Sequence, residues 1–87
     1  MSEHFLSFEV EGDLLHIIAN PAGIDRLKGI LQRLADGADR GMNEDAHLFA
    51  ESWGGYDLNE SPLVLGAVAI KQVDFRVRLS GGHNDSA

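Results

Sequence analysis

The chain has 87 residues, which is enough for one domain with a modest hydrophobic core and too few for two such cores. Hydrophobic residues make up 44% of the sequence without any run near the roughly 20 residues of a membrane-spanning helix, so neither a disordered chain nor a membrane span is expected. A formal charge of −7 makes nucleic acid and anionic membranes poor partners and a basic protein a good one, and the absence of cysteine excludes disulfides and cysteine-based zinc sites.

Two predicted strands open the chain. Residues 5–10 alternate between apolar and polar side chains, which predicts a strand whose polar face, carrying Ser7 and Glu9, is exposed to solvent. A turn at Gly12 leads directly into residues 14–19, so the two strands are expected to pair as a hairpin. Because the second strand is apolar on both faces, we expect it to lie centrally in the sheet. No basic segment precedes an apolar one at the amino terminus, so a cytoplasmic location is expected.

A helix is predicted over residues 20–34. Asn20 can cap its free amide groups, Pro21 fits its first turn, and apolar residues then recur at helical spacing. Gly37 is expected to end the helix, and the polar residues 38–45 are expected to form a loop.

The third predicted strand, over residues 46–52, runs into a loop that contains Trp53 and two adjacent glycines. Paired glycines supply positive φ or a close backbone approach. The loop is therefore expected to hold one shape, with at least one of Gly54 and Gly55 in a conformation that other residues resist.

The last predicted strand covers residues 73–79, where apolar and polar side chains alternate most strictly. The apolar residues 63–70 are interrupted by glycine, and their form is left open, with a short strand over 63–65 as one alternative. We expect a single α+β domain over residues 1–80, a two-layer sandwich of ββαββ order with one helix on a mainly antiparallel sheet. A disordered tail is expected over residues 81–87.

Several segments carry a recognisable pattern: a strand His, then Trp-Gly-Gly, then Leu and a polar residue, and a helix opened by a cap residue, Pro and Gly. The positions are His47, Trp53, Gly54, Gly55, Leu58, Asn59, Asn20, Pro21, Gly23, Ile24, Asp25 and Leu27. Together with the last strand, they resemble the Imm32-type immunity proteins of bacterial polymorphic toxin systems. That resemblance implies a cognate immunity protein that is not an enzyme, needs no cofactor, and binds and neutralises a toxin protein.

The acidic charge leads us to expect a basic toxin, with a nuclease as the candidate, although acidity also serves solubility alone. The residues predicted to contact this partner are Glu51, Trp53, Tyr56, Asp57, Asn59 and Glu60. For Trp53 the alternative of a core anchor beneath its own loop is slightly favoured. The alternative function is a small non-enzymatic structural or regulatory module that forms a homodimer through its sheet.

Catalytic and metal-binding patterns are not recognised in the sequence. The four histidines are scattered, and no two of them have helical or hairpin ligand spacing with a carboxylate in reach, so no metal site is predicted. Asp57 and Asn59 lack the further ligands of a calcium loop, and no serine sits in a nucleophile elbow. An enzyme with a site near His47 is the least favoured alternative.

Overall fold

The computed structural model describes residues 3–79, and the predicted tail lies outside them. The elements are β1 (Leu6–Glu11), β2 (Leu14–Ala19), α1 (Pro21–Asp39), β3 (Asp45–Phe49), a single 3₁₀ turn (Glu51–Trp53), β4 (Val68–Ala69) and β5 (Gln72–Arg76). The chain is therefore a small α+β fold with one α-helix and mainly antiparallel strands, as predicted. No helix in this part of the chain is both long and apolar enough to span a membrane.

The strands form two antiparallel ladders, one of order β2-β1-β4 and one pairing β3 with β5. Backbone hydrogen bonds continue both ladders along the same stretch of chain. The N–H of Ile70 donates to the carbonyl of Phe8 at 2.7 Å, and the N–H of Ala50 donates to the carbonyl of Lys71 at 2.9 Å. Residues 68–76 thus lie between β1 and β3, and β2 lies beyond β1.

The expectation that β2 is central is wrong, because β2 is an edge strand and β1 is central. Both faces of β2 are apolar, but Leu14, Leu15 and Ile17 are all more than half exposed. The chain leaves β2 directly into α1, and the later strands add to the other side of β1. A strand that is apolar on both faces therefore lies at the edge of this sheet.

The start of α1 follows the prediction. The Asn20 side-chain oxygen accepts the backbone N–H of Gly23 at 2.8 Å, which caps the helix. The same oxygen accepts the N–H of Phe5 at 2.8 Å, so the cap also fixes the chain entering β1.

The end of α1 differs from the prediction, because the helix continues through Gly37 to Asp39. Gly37 allows a close approach instead of a stop, since a Cβ there would lie 2.6 Å from Oε2 of Glu44. Gly41, two residues after the end of the helix, has a φ of 75°, and the N–H of Met42 donates to the carbonyl of Gly37 at 2.9 Å. This is a Schellman arrangement.

The core lies between α1 and the sheet. Its buried members are Leu6, Phe8, Ile30, Leu34, Ala46, Leu48, Ala50 and Leu58. The predicted third strand was too long, because β3 ends at Phe49 and the chain turns at once into the 3₁₀ turn. The predicted last strand was also too long, since β5 ends at Arg76.

The polar face of β1 is not exposed, contrary to the prediction. Ser7 and Glu9 are both fully buried, at 0% exposure. The Glu9 carboxylate accepts the Ser7 hydroxyl at 2.6 Å and the backbone N–H groups of Leu63 and Val64 at 2.8 to 3.0 Å. Residues 63–65 therefore form no strand and instead wrap around this carboxylate.

The buried Glu9 is ionised in the fold. The Ser7 hydroxyl is the largest cause that lowers its pKa below the ordinary 4.5, and the two backbone N–H groups add to the same effect. Burial raises the pKa, but its effect is smaller than the combined effect of these hydrogen bonds. Because three donors form hydrogen bonds with this carboxylate, its burial is not a large cost to the fold.

Candidate functional site

Two aromatic side chains project from the turn that follows β3. Trp53 is 56% exposed and Tyr56 is 88% exposed. The slightly favoured alternative of a core role for Trp53 is therefore wrong. The space beneath the turn is occupied by the small Ala50 and by Leu58, both buried, so no room is left for an indole ring.

The two glycines between these rings are required for different reasons. Gly54 has a φ of 86° and closes the 3₁₀ turn by donating its N–H to the Glu51 carbonyl at 2.9 Å, which confirms the predicted special conformation. At Gly55 a Cβ would lie 2.6 Å from both the Cβ and the carbonyl oxygen of Phe49. One glycine supplies a left-handed backbone and the other supplies a close packing of the turn on β3.

Asp57 fixes the far side of the turn. Its backbone N–H donates to the Phe49 carbonyl at 2.9 Å, and its carboxylate accepts the Phe49 N–H at 3.2 Å. The other carboxylate oxygen accepts Nη2 of Arg26 at 2.5 Å, which ties the turn to α1. The Asp57 carbonyl faces Nε2 of His4 at 3.2 Å. Asp57 therefore joins the turn to β3 and to α1 within the fold.

Asn59 and Glu60 also direct their side chains inward. The Asn59 amide donates to the Ser7 hydroxyl at 3.3 Å and to the Ser61 carbonyl at 2.5 Å. The Glu60 carboxylate accepts the backbone N–H of Ser52 at 2.5 Å, and this bond is the first cause of a lowered Glu60 pKa. Both residues hold the loop in place.

The predicted partner-binding residues thus divide into two groups. Asp57, Asn59 and Glu60 build the loop from within, whereas Glu51, Trp53 and Tyr56 are exposed on it. We call residues 51–56 the aromatic loop. The sequence placed both groups in one region but could not separate them, because their side-chain partners lie far away along the chain.

An open groove of about 530 Å³ lies beside the aromatic loop, lined by Glu3, His4, Glu51, Gly55, Tyr56 and Leu58. Glu3 and Glu51 are both exposed, and within residues 3–79 neither carboxylate takes part in an ion pair. A phenol ring beside two such carboxylates suits the side chain of an arginine or a lysine. Sequence reasoning missed Glu3 and His4, because only the fold brings the amino terminus to the loop.

A second polar group lies on the exposed face of β3 and β5. His47 Nε2 is 3.3 Å from Oδ1 of Asp74 and 3.9 Å from Oδ2 of Asp45, so two carboxylates lie near one histidine, a group that the absence of paired histidines did not bring to light. Asp45 lies two residues before His47 on the same face of β3, and Asp74 on β5 is the cross-strand partner of His47. This spacing was readable in the sequence once β3 and β5 are paired.

The His47 group has the donor types of a divalent metal site, with three ligand atoms within 4.8 Å of one another. All three residues are exposed, and Arg76 Nε lies 2.6 Å from Oδ2 of Asp74. The guanidinium already provides a positive charge for these carboxylates. The arrangement is explained as a surface ion-pair network, and the predicted absence of tight metal binding stays a prediction.

Comparison with known proteins adds no relative, since no family model, no curated protein and no solved structure matches the chain. The resemblance to immunity proteins stays a prediction from sequence motifs.

Proposed function

We propose that the protein is a cognate immunity protein that binds a basic toxin through the aromatic loop and neutralises it by steric and electrostatic blocking, without catalysis. The observation that carries the proposal is the exposure of Trp53 and Tyr56 on a backbone that is already fixed. Tyrosine and tryptophan are enriched among the residues that dominate binding energy. A solvent-exposed tryptophan contributes little to the interior of a small domain, so its place on this loop fits a binding role.

The rigidity of the loop supports the same function. Gly54 and Gly55 set its backbone, and the Asp57 carboxylate joins it to both β3 and α1. A loop that is ordered before binding loses less conformational entropy when the partner docks. The aromatic loop is therefore preorganised for a protein surface of fixed shape.

Charge indicates the kind of partner. The chain carries 14 acidic and 7 basic residues, and Glu3 and Glu51 present their carboxylates beside the Tyr56 ring. A negative surface accelerates the encounter with a basic protein and disfavours an acidic one. Basic side chains are common on enzymes that act on nucleic acid, so a nuclease is a suitable toxin. A cytoplasmic location is part of this proposal.

The proposal is tested by co-expressing the protein in a bacterial host with the product of the neighbouring open reading frame. The wild-type protein should restore growth to a host poisoned by that product, and the double variant Trp53→Ala with Tyr56→Ala should not. Leu65→Ala is the matched control, because Leu65 is 95% exposed but lies outside the aromatic loop. Full protection by the double variant, or a neighbouring product without toxicity, would contradict the proposal.

A further inference from the structure

Among residues 3–79, the backbone groups on the outer edge of β2 have no strand partner. The carbonyls of Leu6 and Phe8 accept the N–H groups of Asn59 and Ile70, so these β1 residues face away from β2. In an antiparallel ladder, when the backbone N–H and C=O groups of one residue point away from the neighbouring strand, those of the residue opposite it also point away.

The partners of Leu6, Phe8 and Val10 across the ladder are Ala19, Ile17 and Leu15. The N–H and C=O groups of Leu15 and Ile17 therefore point to the open side of β2. Within residues 3–79 this side carries no further strand. The edge is thus ready to accept another strand.

The side chains along this edge offer no protection against strand addition. Sheet edges are commonly guarded by charged residues, proline or a bulge. The β2 sequence, Leu-Leu-His-Ile-Ile-Ala, has no acidic residue, no lysine and no proline. Leu15 and Ile17 share one face and are both more than half exposed. An uncharged, apolar edge of this kind is typical of a strand that pairs with another strand.

The flank of α1 above this edge is also apolar. At 3.6 residues per turn, Arg26 and Arg33 lie on one side of the buried stripe and Ile24 and Leu31 lie on the other. Arg26 binds Asp57 and Arg33 approaches Glu44, so the arginine side faces β3. Ile24 and Leu31, each about half exposed, therefore lie on the β2 side of the helix.

We propose that a second copy of this chain docks on β2, with the two β2 strands antiparallel about an axis through His16. In this register Leu15 of each copy lies opposite Ile17 of the other. Both residues direct their backbone groups outward, so they exchange N–H···O=C bonds while their side chains meet on one face. The β2 edge is therefore complementary to itself.

The antiparallel register also keeps the two Asp13 carboxylates apart. Asp13, which precedes β2, comes opposite Ala19 of the other copy. The two Asp13 carboxylates are then roughly 20 Å apart at about 3.4 Å per residue, which exceeds the screening length of about 8 Å in physiological salt. Near the axis the carboxylate to consider is that of Glu11, which lies 3.1 Å from Nε2 of His16 and so already has a hydrogen-bond partner on its own chain.

The other end of the sheet is less suited to a second copy. The outer side of β3 is bonded at Phe49 by Asp57, and Arg26, Arg33 and His47 line a groove between α1 and β3. Polar and charged groups thus border that edge. The inference does not depend on the proposed function, and the dimer leaves the aromatic loop free, because the loop joins the side of β1 away from β2.

The test measures the mass of the chain in solution by sedimentation equilibrium or light scattering. The wild-type protein should have twice the mass of the 9.4 kDa chain. Ile17→Pro removes an outward N–H that the single chain does not use, and Leu15→Lys adds charge at the contact, so each should reduce the mass to that of one chain. Leu65→Lys makes the same kind of change on another exposed residue and should stay dimeric. Far-ultraviolet circular dichroism checks that each variant is folded.

Amide hydrogen exchange separates strand pairing from other kinds of association. The N–H groups of Leu15 and Ile17 should exchange slowly in the wild-type protein and at least tenfold faster in Leu15→Lys. A single-chain mass for the wild-type protein overturns the inference. Dimers that survive in both edge variants, or fast exchange of both amides within the wild-type dimer, also overturn it.

Discussion

Both carboxylate oxygens of Glu9 accept the backbone N–H of Leu63, at 2.9 and 3.0 Å. A fully buried side chain in the central strand thus holds a segment 54 residues later in the chain. This contact holds Leu63 and Val64 over the polar face of β1, where they form no strand, and the strand of this apolar stretch begins only at Val68.

Replacing Glu9 by glutamine should destabilise the protein at neutral pH, because an amide cannot accept all the hydrogen bonds that the carboxylate accepts. The Glu9 pKa is lowered in the fold, so its ionised form stabilises the fold above the ordinary pKa of 4.5. This stabilisation is lost as the pH falls through the lower folded-state pKa. The stability difference between wild type and Glu9→Gln should therefore shrink in acid, as measured by urea unfolding at several pH values.

The matched control for that experiment is Glu51→Gln, which neutralises an exposed carboxylate of the aromatic loop. Its stability should stay near that of the wild type at every pH. If Glu9→Gln and wild type lose stability in parallel as the pH falls, Glu9 does not have the role assigned to it.

The backbone of the aromatic loop gives a second prediction. Gly54→Ala should lower the free energy of unfolding by about 1 to 2 kcal/mol, because a Cβ is disfavoured at a φ of 86°. Gly29→Ala should have the opposite sign and stabilise by up to about 1 kcal/mol, since Gly29 is helical and a Cβ there meets nothing within 4 Å. Chemical denaturation measures the free energy of unfolding of both variants. Equal changes in the two would contradict the role assigned to the positive φ of Gly54.

Charge beside the aromatic loop should act on the rate of association with a basic toxin. Neutralising Glu3 and Glu51 together should slow association several-fold in dilute buffer, and the effect should fade toward physiological salt, where the screening length is about 8 Å. The control variant Asp13→Asn with Asp39→Asn removes the same amount of charge elsewhere. Stopped-flow or surface plasmon resonance gives the rates, and an equal effect of both double variants would argue against a local role.

Truncating Tyr56 should have the complementary effect. An anchor residue sets the rate of dissociation more than the rate of encounter, so Tyr56→Ala should speed dissociation while association changes little. The same instruments measure both rates, and unchanged dissociation would exclude Tyr56 as an anchor.

The His47 group gives a prediction about metals. Because Arg76 already neutralises Asp74, we expect the thermal midpoint to be unaffected by a chelator. A tightly bound metal would stabilise the fold by linkage, so a downward shift of the midpoint with chelator would contradict the ion-pair interpretation. His47→Ala shows whether any such shift arises at this group.

Local patterns in the sequence were sufficient for the element types. Alternation located the strands, and Asn20 was recognised as the helix cap because its role depends only on residues nearby in the chain. The errors came from tertiary contacts that local patterns do not show. Glu9 looks like a solvent-facing residue until Leu63 and Val64 cover it, and Gly37 looks like a helix end until Glu44 packs against it.

The same limit applied to the candidate site. The sequence drew attention to one loop, because the paired glycines and the aromatic residues are adjacent. It did not distinguish Asp57, which binds Arg26 of α1, from Glu51, which is exposed. Neutralising Asp57 would disturb the loop itself and would therefore not report on encounter with a partner.

The bond from Asn59 to Leu6 has a consequence for the order of folding. The β1-β2 hairpin and α1 are built from neighbouring residues and can form early, whereas contacts between distant residues bear a larger loop-closure cost and form late. The segment that follows the aromatic loop is held by such distant contacts, at Leu6, Glu9 and Arg26. The contact with Glu9 cannot form until Leu63 has left the ribosome, so a chain that ends before this residue does not yet hold that segment in place.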